Sequence, residues 1–223
     1  MAIVGSRLAG VIMLVDLDNT LVDRDLAFRT WAQHFIQDIG ADPDDLPWLL
    51  AVDGDGYTPR ADVAVALRER WGLDVSVRYL VHRLLFDHLP FVQPYPGVPA
   101  ALDALTTAGV TLVVVTNGTV AQQDEKLRRT GLGSLVTDAV ISEAVGSRKP
   151  DPLIFRAALE AARRHGGRGP AWMVGDHPVA DIAGARDCGL LTGWVSHHRG
   201  WTGGTPADVE SPRTVDLLSQ MMP

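Results

Sequence analysis

Val11-Ile12-Met13-Leu14-Val15-Asp16-Leu17-Asp18-Asn19-Thr20 sets five apolar residues directly before two aspartates. A short, unbroken apolar run is what a parallel strand covered on both faces needs, since neither face alternates toward water. If the chain stays extended, the two carboxylates beyond its carboxyl end lie about 7 Å apart and repel unless a cation joins them. The stretch therefore predicts a buried strand ending in a candidate magnesium site. The same spacing also occurs in a plain loop or helix cap, so the rest of the chain has to decide between the two.

Upstream, Arg7 before the apolar run Leu8 to Val15 imitates a signal peptide, but Asp16 and Asp18 end that run and no small-residue cleavage site follows. Downstream, residues 23–90 read as helical throughout. Phe28, Trp31, Phe35, Ile36 and Ile39 recur at helical spacing before Gly40; Thr58-Pro59 opens a second helix through Val63, Leu67 and Trp71; Ser76 opens a third through Leu80, Leu84 and His88. Helices with no strand between them predict an inserted cap. Three prolines in Pro90 to Gly97 make a stiff connector back to the main domain.

After the connector, strand and helix alternate. Strands are expected near 110–115, 139–141, 172–174 and 190–195, with helices between them and one more helix near Val215. The predicted fold class is therefore α/β: a Rossmann-like open parallel sheet formed by residues 1–22 and 91–223, with a helical cap at 23–90. Ligands in such sheets bind beyond the carboxyl ends of the strands. Asp16, Asp18, Thr116, Asn117 and Asp176 all fall at those ends.

Composition narrows the partners. The chain has 223 residues and 46% hydrophobic content, and 27 Asp and Glu against 20 Lys and Arg give a net charge of -7. This excludes a disordered or collagen-like chain. Without a basic patch it also argues against a nucleic-acid polymer or an anionic membrane, and no stretch reaches the roughly 20 apolar residues that span a bilayer. The single cysteine, Cys188, forms neither an intrachain disulfide nor a multi-cysteine zinc site, so a cytoplasmic location is expected. The sequence specifies no oligomeric state.

Four segments carry chemistry. Asp16-Leu17-Asp18-Asn19-Thr20 ends the first strand, and Val115-Thr116-Asn117-Gly118 ends another with a hydroxyl and amide groups suited to phosphate oxygens. Arg148-Lys149-Pro150 places a lysine before a helix, and Gly175-Asp176-His177-Pro178-Val179-Ala180-Asp181 ends a third strand with two more carboxylates. In this order they resemble the haloacid dehalogenase-like (HAD) hydrolase superfamily, whose pattern is DxDx(T/V), a strand-end Thr or Ser, a Lys, and GDxxxxD. The resemblance covers residues 11–22 and 97–198, with the insert in the position of a helical cap.

The resemblance implies a magnesium-dependent phosphatase. Asp16 would be the nucleophile, Asp18 the general acid/base, Thr116 with the Asn117 amide the phosphoryl cradle, and Lys149 the positive clamp. Asp16, the Asp18 backbone carbonyl, Asp176 and Asp181 would form the Mg2+ site. Asp18 also speaks against dehalogenation, because dehalogenases of this pattern lack that acid. Segments 141–146 and 194–199 look like the bacterial nucleoside 5'-monophosphatases, close to sugar-phosphate phosphatases, so the expected partner is a small phosphorylated metabolite. His177 departs from the family's usual Ser or Thr.

These roles are consistent with elementary chemistry. Asp16 has to be ionised to attack phosphorus. Asp18 has to be protonated to donate to a leaving alcohol, so crowding by other carboxylates is expected to raise its pKa. Without the cation, too many negative charges would meet at the phosphate. The insert is expected to be a lid that sets specificity; Arg24, Arg29 and Arg60 in it could recognise substrate, but arginine on a helix is usually part of a solvated face. A phosphomutase, which would return the phosphoryl group to a sugar, and a non-catalytic binding module are the alternatives. Asp53-Gly54-Asp55-Gly56 lacks the glycine and glutamate of a calcium loop and reads as a turn. His197 and His198 read as exposed or hydrogen-bonded rather than as metal ligands.

Overall fold

A computed structural model describes residues 8–221. The chain divides into two compact units, one formed up to Val22 and from Pro94 onward, the other by Asp23–Gln93.

The first unit holds β1 (Ile12–Val15), α5 (Val98–Thr107), β2 (Thr111–Thr116), α6 (Val120–Thr130), β3 (Asp138–Ile141), α7 (Ser142–Val145), α8 (Pro152–Arg164), β4 (Ala171–Gly175), α9 (Gly184–Asp187), β5 (Leu191–Val195), β6 (Val209–Ser211) and α10 (Thr214–Gln220). Its six strands form one sheet in the order β3-β2-β1-β4-β5-β6, every pair parallel. β1 is central and buried along its whole length. Its alternate residues Ile12 and Leu14 join Val113, Val115 and Met173 in packing against Ile154, Phe155, Ala158 and Ala162 of α8. α5 and α10, with buried Leu102, Leu105, Leu217 and Leu218, pack against each other and contact β2 and β5 respectively.

Strand order places the chemistry. Val15 stands in register with Val114 on one side and Val174 on the other, so β1, β2 and β4 end at one level. The strand order reverses about β1, which makes this edge the switch point where a crevice opens in doubly wound sheets. β6 was not apparent from sequence because three residues after a glycine- and proline-rich stretch carry no readable period.

The second unit contains α1 (Arg24–Asp38), α2 (Leu46–Asp53), α3 (Arg60–Trp71) and α4 (Val77–Phe86). Phe28, Trp31, Phe35 and Ile36 of α1 pack on Leu49, Val63, Leu67, Leu80 and Leu84. Asp23 caps α1 by accepting from Leu26 N, and Ser76 caps α4 by accepting from Tyr79 N. The expected cap at Thr58 moves one residue, with Pro59 in the cap position. α2 was not anticipated; it is short and buries only Leu49 and Asp53. This unit continues three residues beyond the expected limit at 90, because Phe91 packs on its core and Asp23 N donates to Gln93 O. Among the described residues no helix is long and apolar enough to cross a membrane.

The Asp53 turn is built around charge. Asp53 is buried and accepts two bonds from Arg24, one from Arg60 and one from Gly56 N, while Arg24 lies 4.5 Å from the Phe28 ring centroid. Both arginines are thus engaged within their own unit. Burial pushes the Asp53 carboxyl up, but the hydrogen bonds and charges of Arg24 and Arg60 outweigh it and hold the group below its ordinary value of 3.8. This contribution to stability is therefore complete above about pH 4 and is lost as pH falls through the folded value. Asp53→Asn should destabilise the protein by about 3 kcal/mol, because it leaves two cations without their buried anion. Urea unfolding monitored by circular dichroism at neutral pH measures the loss.

Candidate active site

Asp16 follows the last residue of β1, and its N–H donates to Val174 O of β4 at 2.9 Å. Gly175 and Asp176 continue β4, and a π-helical turn at Pro178–Ala183 brings Asp181 back toward them. Single π turns are frequent where a helix has to re-aim a functional side chain. Asp181 Oδ2 accepts from His177 N at 3.0 Å. His177 Nδ1 accepts from Val179 N and Ala180 N, so its ring caps the turn as a Ser or Thr hydroxyl would. Gly175 leaves room for this return: a Cβ there would lie 2.3 Å from the Asp181 carboxylate.

One carboxylate oxygen from each of Asp16, Asp176 and Asp181 lies within 4.8 Å of the other two, and all three residues are buried. Lys149 Nζ donates to Asp16 Oδ1 at 2.5 Å and stands 2.7 Å from Asp181 Oδ1. The second contact is an ion pair, so one ammonium serves two buried carboxylates. Burial is the main cause that pushes the Asp16 carboxyl up from 3.8 to about 7; Lys149 opposes it, and Asp181 and Asp18 add to it. Asp176 is raised well above its ordinary value by burial, then by Asp181 and Asp16, against the opposing Arg199. Burial alone would lower the Lys149 ammonium, but Asp16 and Asp181 outweigh it and raise it. The cluster thus holds more negative charge than its lysine balances. Three buried carboxylates that converge beside a single lysine fit a hard divalent cation.

Asp18 sits apart from that cluster. Both its oxygens accept from Lys126 Nζ, at 2.7 and 2.6 Å, and Oδ2 also accepts from Gln123 Nε2 at 3.1 Å. Its immediate partners are therefore a buried lysine and an amide rather than the expected carboxylates. Gln123 Nε2 also donates to Thr116 Oγ1 at 2.5 Å and to Asn117 O at 3.2 Å. The Asn117 side chain donates to Lys149 O and accepts from Lys149 N, so it fixes the lysine's backbone.

The family model for haloacid dehalogenase-like hydrolases matches residues 12–189. The chain belongs to this family. It is 42% identical to a glyceraldehyde 3-phosphate phosphatase of Methanopyrus kandleri over 56% of this chain and 54% of that one. It is 41% identical to the pyrimidine 5'-nucleotidase YjjG of Escherichia coli over 48% of this chain and 47% of that one. The chain thus spans about half the length of these two relatives. The HAD-hydrolase YfnB of Bacillus subtilis, solved bound to magnesium, has the same fold, with a TM-score of 0.76, 21% identity and coverage of 96% and 99% of the two chains.

In this HAD-like hydrolase the sheet edge brings Asp16, Lys149, Asp176 and Asp181 together, with Thr116, Asn117 and Asp18 around them. Gln123 and Lys126 were missed in the sequence. No sequence signal marks them: α6 buries Gln122, Gln123, Lys126 and Leu127, so three of its four buried side chains are polar. Arg199, paired with Asp176, ends the 194–199 segment with no feature of its own that marks it as a site residue. His197 lies past the end of β5 in a left-handed turn, with Nε2 2.6 Å from Asn19 O.

Gly175→Ala should lower stability by about 1–3 kcal/mol, as overpacking does, because Asp181 is held by His177 N and has little room to withdraw. Denaturant unfolding of the two proteins gives the difference; equal midpoints would contradict the close approach.

Proposed function

We propose that the protein hydrolyses small phosphomonoesters with the help of Mg2+, through an aspartyl phosphate on Asp16. The observation that carries this reading is the convergence of Asp16 with the Asp176 and Asp181 carboxylates and with Lys149, which contacts both Asp16 and Asp181, while Asp18 is held separately by α6. A nucleophilic carboxylate has to be ionised and accessible to phosphorus, and a second carboxylate has to reach the leaving oxygen without joining the cation.

Asp16, Asp176, Asp181 and the Asp18 main-chain carbonyl would hold the cation, which would supply charge neutralisation for Asp16 and the phosphate. Lys149 binds Asp16 now and is placed to share its donors with a phosphoryl oxygen, and Asn117 keeps the lysine backbone fixed while it does so. Asp16 attacks phosphorus and the P–O bond to the alcohol breaks. The departing oxygen takes the proton from Asp18. Asp18 then accepts a proton from the water that attacks phosphorus, which releases phosphate and regenerates Asp16. A proton on Asp18 needs an acceptor to face, so the first half-reaction requires release of one Lys126 contact.

Nucleoside 5'-monophosphates are one substrate reading, supported by the similarity to a pyrimidine nucleotidase. Small sugar phosphates are the second, supported by the match to a glyceraldehyde 3-phosphate phosphatase over a longer stretch. Both release a phosphoryl group to water. Phosphate release without an added acceptor separates this reading from a phosphomutase.

Asp16→Asn should abolish turnover of p-nitrophenyl phosphate while the protein stays folded, and EDTA should silence the wild type until Mg2+ is returned. Activity of Asp16→Asn within tenfold of wild type, or full activity in a verified metal-free sample, would overturn the mechanism. A screen of nucleoside monophosphates against three- to six-carbon sugar phosphates should show at least tenfold preference for one class, about 1.4 kcal/mol in kcat/KM.

A further inference from the structure

Asp176 is the one member of the carboxylate cluster that Lys149 does not touch. Its cation is Arg199, from the loop between β5 and β6. A single nitrogen, Arg199 Nη2, donates to both Asp176 Oδ2 at 2.9 Å and Asp176 O at 3.0 Å. One donor that joins the main chain and side chain of the same aspartate restricts rotation of that carboxylate. Trp194 Nε1 donates to the same carbonyl at 2.8 Å.

The arginine is itself held. Its N–H and Nε both donate to Ser196 O, at 2.8 and 3.1 Å, and Ser196 N donates to Ser211 O of β6. Further along the loop, Thr205 O accepts from Arg186 at 2.7 Å, Pro206 O accepts from the same guanidinium, and Asp208 accepts from Thr192 N and Oγ1. Trp201 packs edge-on against Trp194 at 4.9 Å between centroids. Far more structure supports this contact than an incidental surface ion pair requires.

We propose that Arg199 is a positioning residue for the cation site: it engages Asp176 Oδ2 and presents Oδ1 to the cluster. This rests on the magnesium reading above. Two effects of opposite sign compete. The guanidinium repels a cation, but its side chain is 47% exposed and solvent screens that repulsion. The hydrogen bond fixes the carboxylate's direction, and loss of such an outer partner typically costs 10–100-fold in metal affinity. Orientation therefore wins, and removal of the arginine weakens binding despite removing a positive charge.

Isothermal titration of the metal-free full chain with Mg2+, in the absence of substrate, tests this. Arg199→Met should raise the Kd for Mg2+ by about tenfold or more, with the unfolding midpoint of the metal-free protein little changed because the side chain is half exposed. Arg199→Lys, which keeps a charged donor but cannot also bond Ser196 O through Nε, should fall between the two; it carries the test if the Met variant does not fold. A Kd for either folded variant equal to or tighter than wild type would overturn the positioning role and leave the magnesium reading intact. Failure of the wild-type protein to bind Mg2+ would overturn both.

Discussion

Four aspartates placed at the ends of two adjacent parallel strands repel one another, and the rest of the site is organised by that repulsion. Each has a cationic partner: Lys149 stands between Asp16 and Asp181, Lys126 grips Asp18, and Arg199 binds Asp176. These partners do not suffice. Four carboxylates against three cations leave one net negative charge, and burial, with Asp181 and Asp18 adding to it, raises Asp16 to about 7 against the opposing Lys149. A phosphate dianion would raise the deficit to three, and a divalent cation would return it to one. The two ligands are therefore electrostatically dependent on each other, which is why a phosphoryl substrate and a hard cation make better sense together than either does alone.

The sheet makes this arrangement affordable in backbone terms. β1 lies in the middle, so its carboxyl end is flanked by β2 with Thr116 and by β4 with Asp176 at matching register. β1 is paired on both sides, with β2 and with β4, and the functional side chains begin just past its last paired residue. Asp181 needs two local departures from regular structure, a glycine at 175 and a widened helical turn after Pro178. Both are small and both serve the same carboxylate.

The aspartates were legible because their signal is local. An apolar strand is a contiguous run, and a charge beyond it stands out against the run. Lys126 and Gln123 were not legible for the opposite reason: in a helix as polar as α6, the inward face cannot be told from the outward one by hydrophobic period, since only Leu127 marks it. Arg199 was hidden by distance, 23 residues from Asp176 and on a loop with no period at all. α2 and β6 were hidden by brevity. In the helical unit, Arg24 and Arg60 looked like candidates for substrate recognition, but both converge on Asp53. Sequence shows that a cation is present; only the fold shows which anion it meets.

The grip of Lys126 on Asp18 also bears on the order of the chemistry. A general acid/base has to give up a proton in one half-reaction and accept one in the other, and no single environment is best for both. Both Asp18 oxygens accept from a buried ammonium, which on the proposed mechanism would favour the carboxylate that the second half-reaction needs. The first half-reaction needs a proton on one of those oxygens, and an O–H directed at an ammonium has no acceptor. The substrate's leaving oxygen is an acceptor of that kind. On the proposed mechanism, an arriving phosphomonoester would supply what makes the protonated form of Asp18 tolerable, and departure of the alcohol, with the phosphoryl group left on Asp16, would restore the lysine contact before water attacks. Gln123 Nε2, whose two N–H groups are shared among Asp18, Thr116 Oγ1 and the Asn117 carbonyl, would keep the aspartate anchored through both halves. On this reading α6 is the element that lets one side chain serve as acid and then as base.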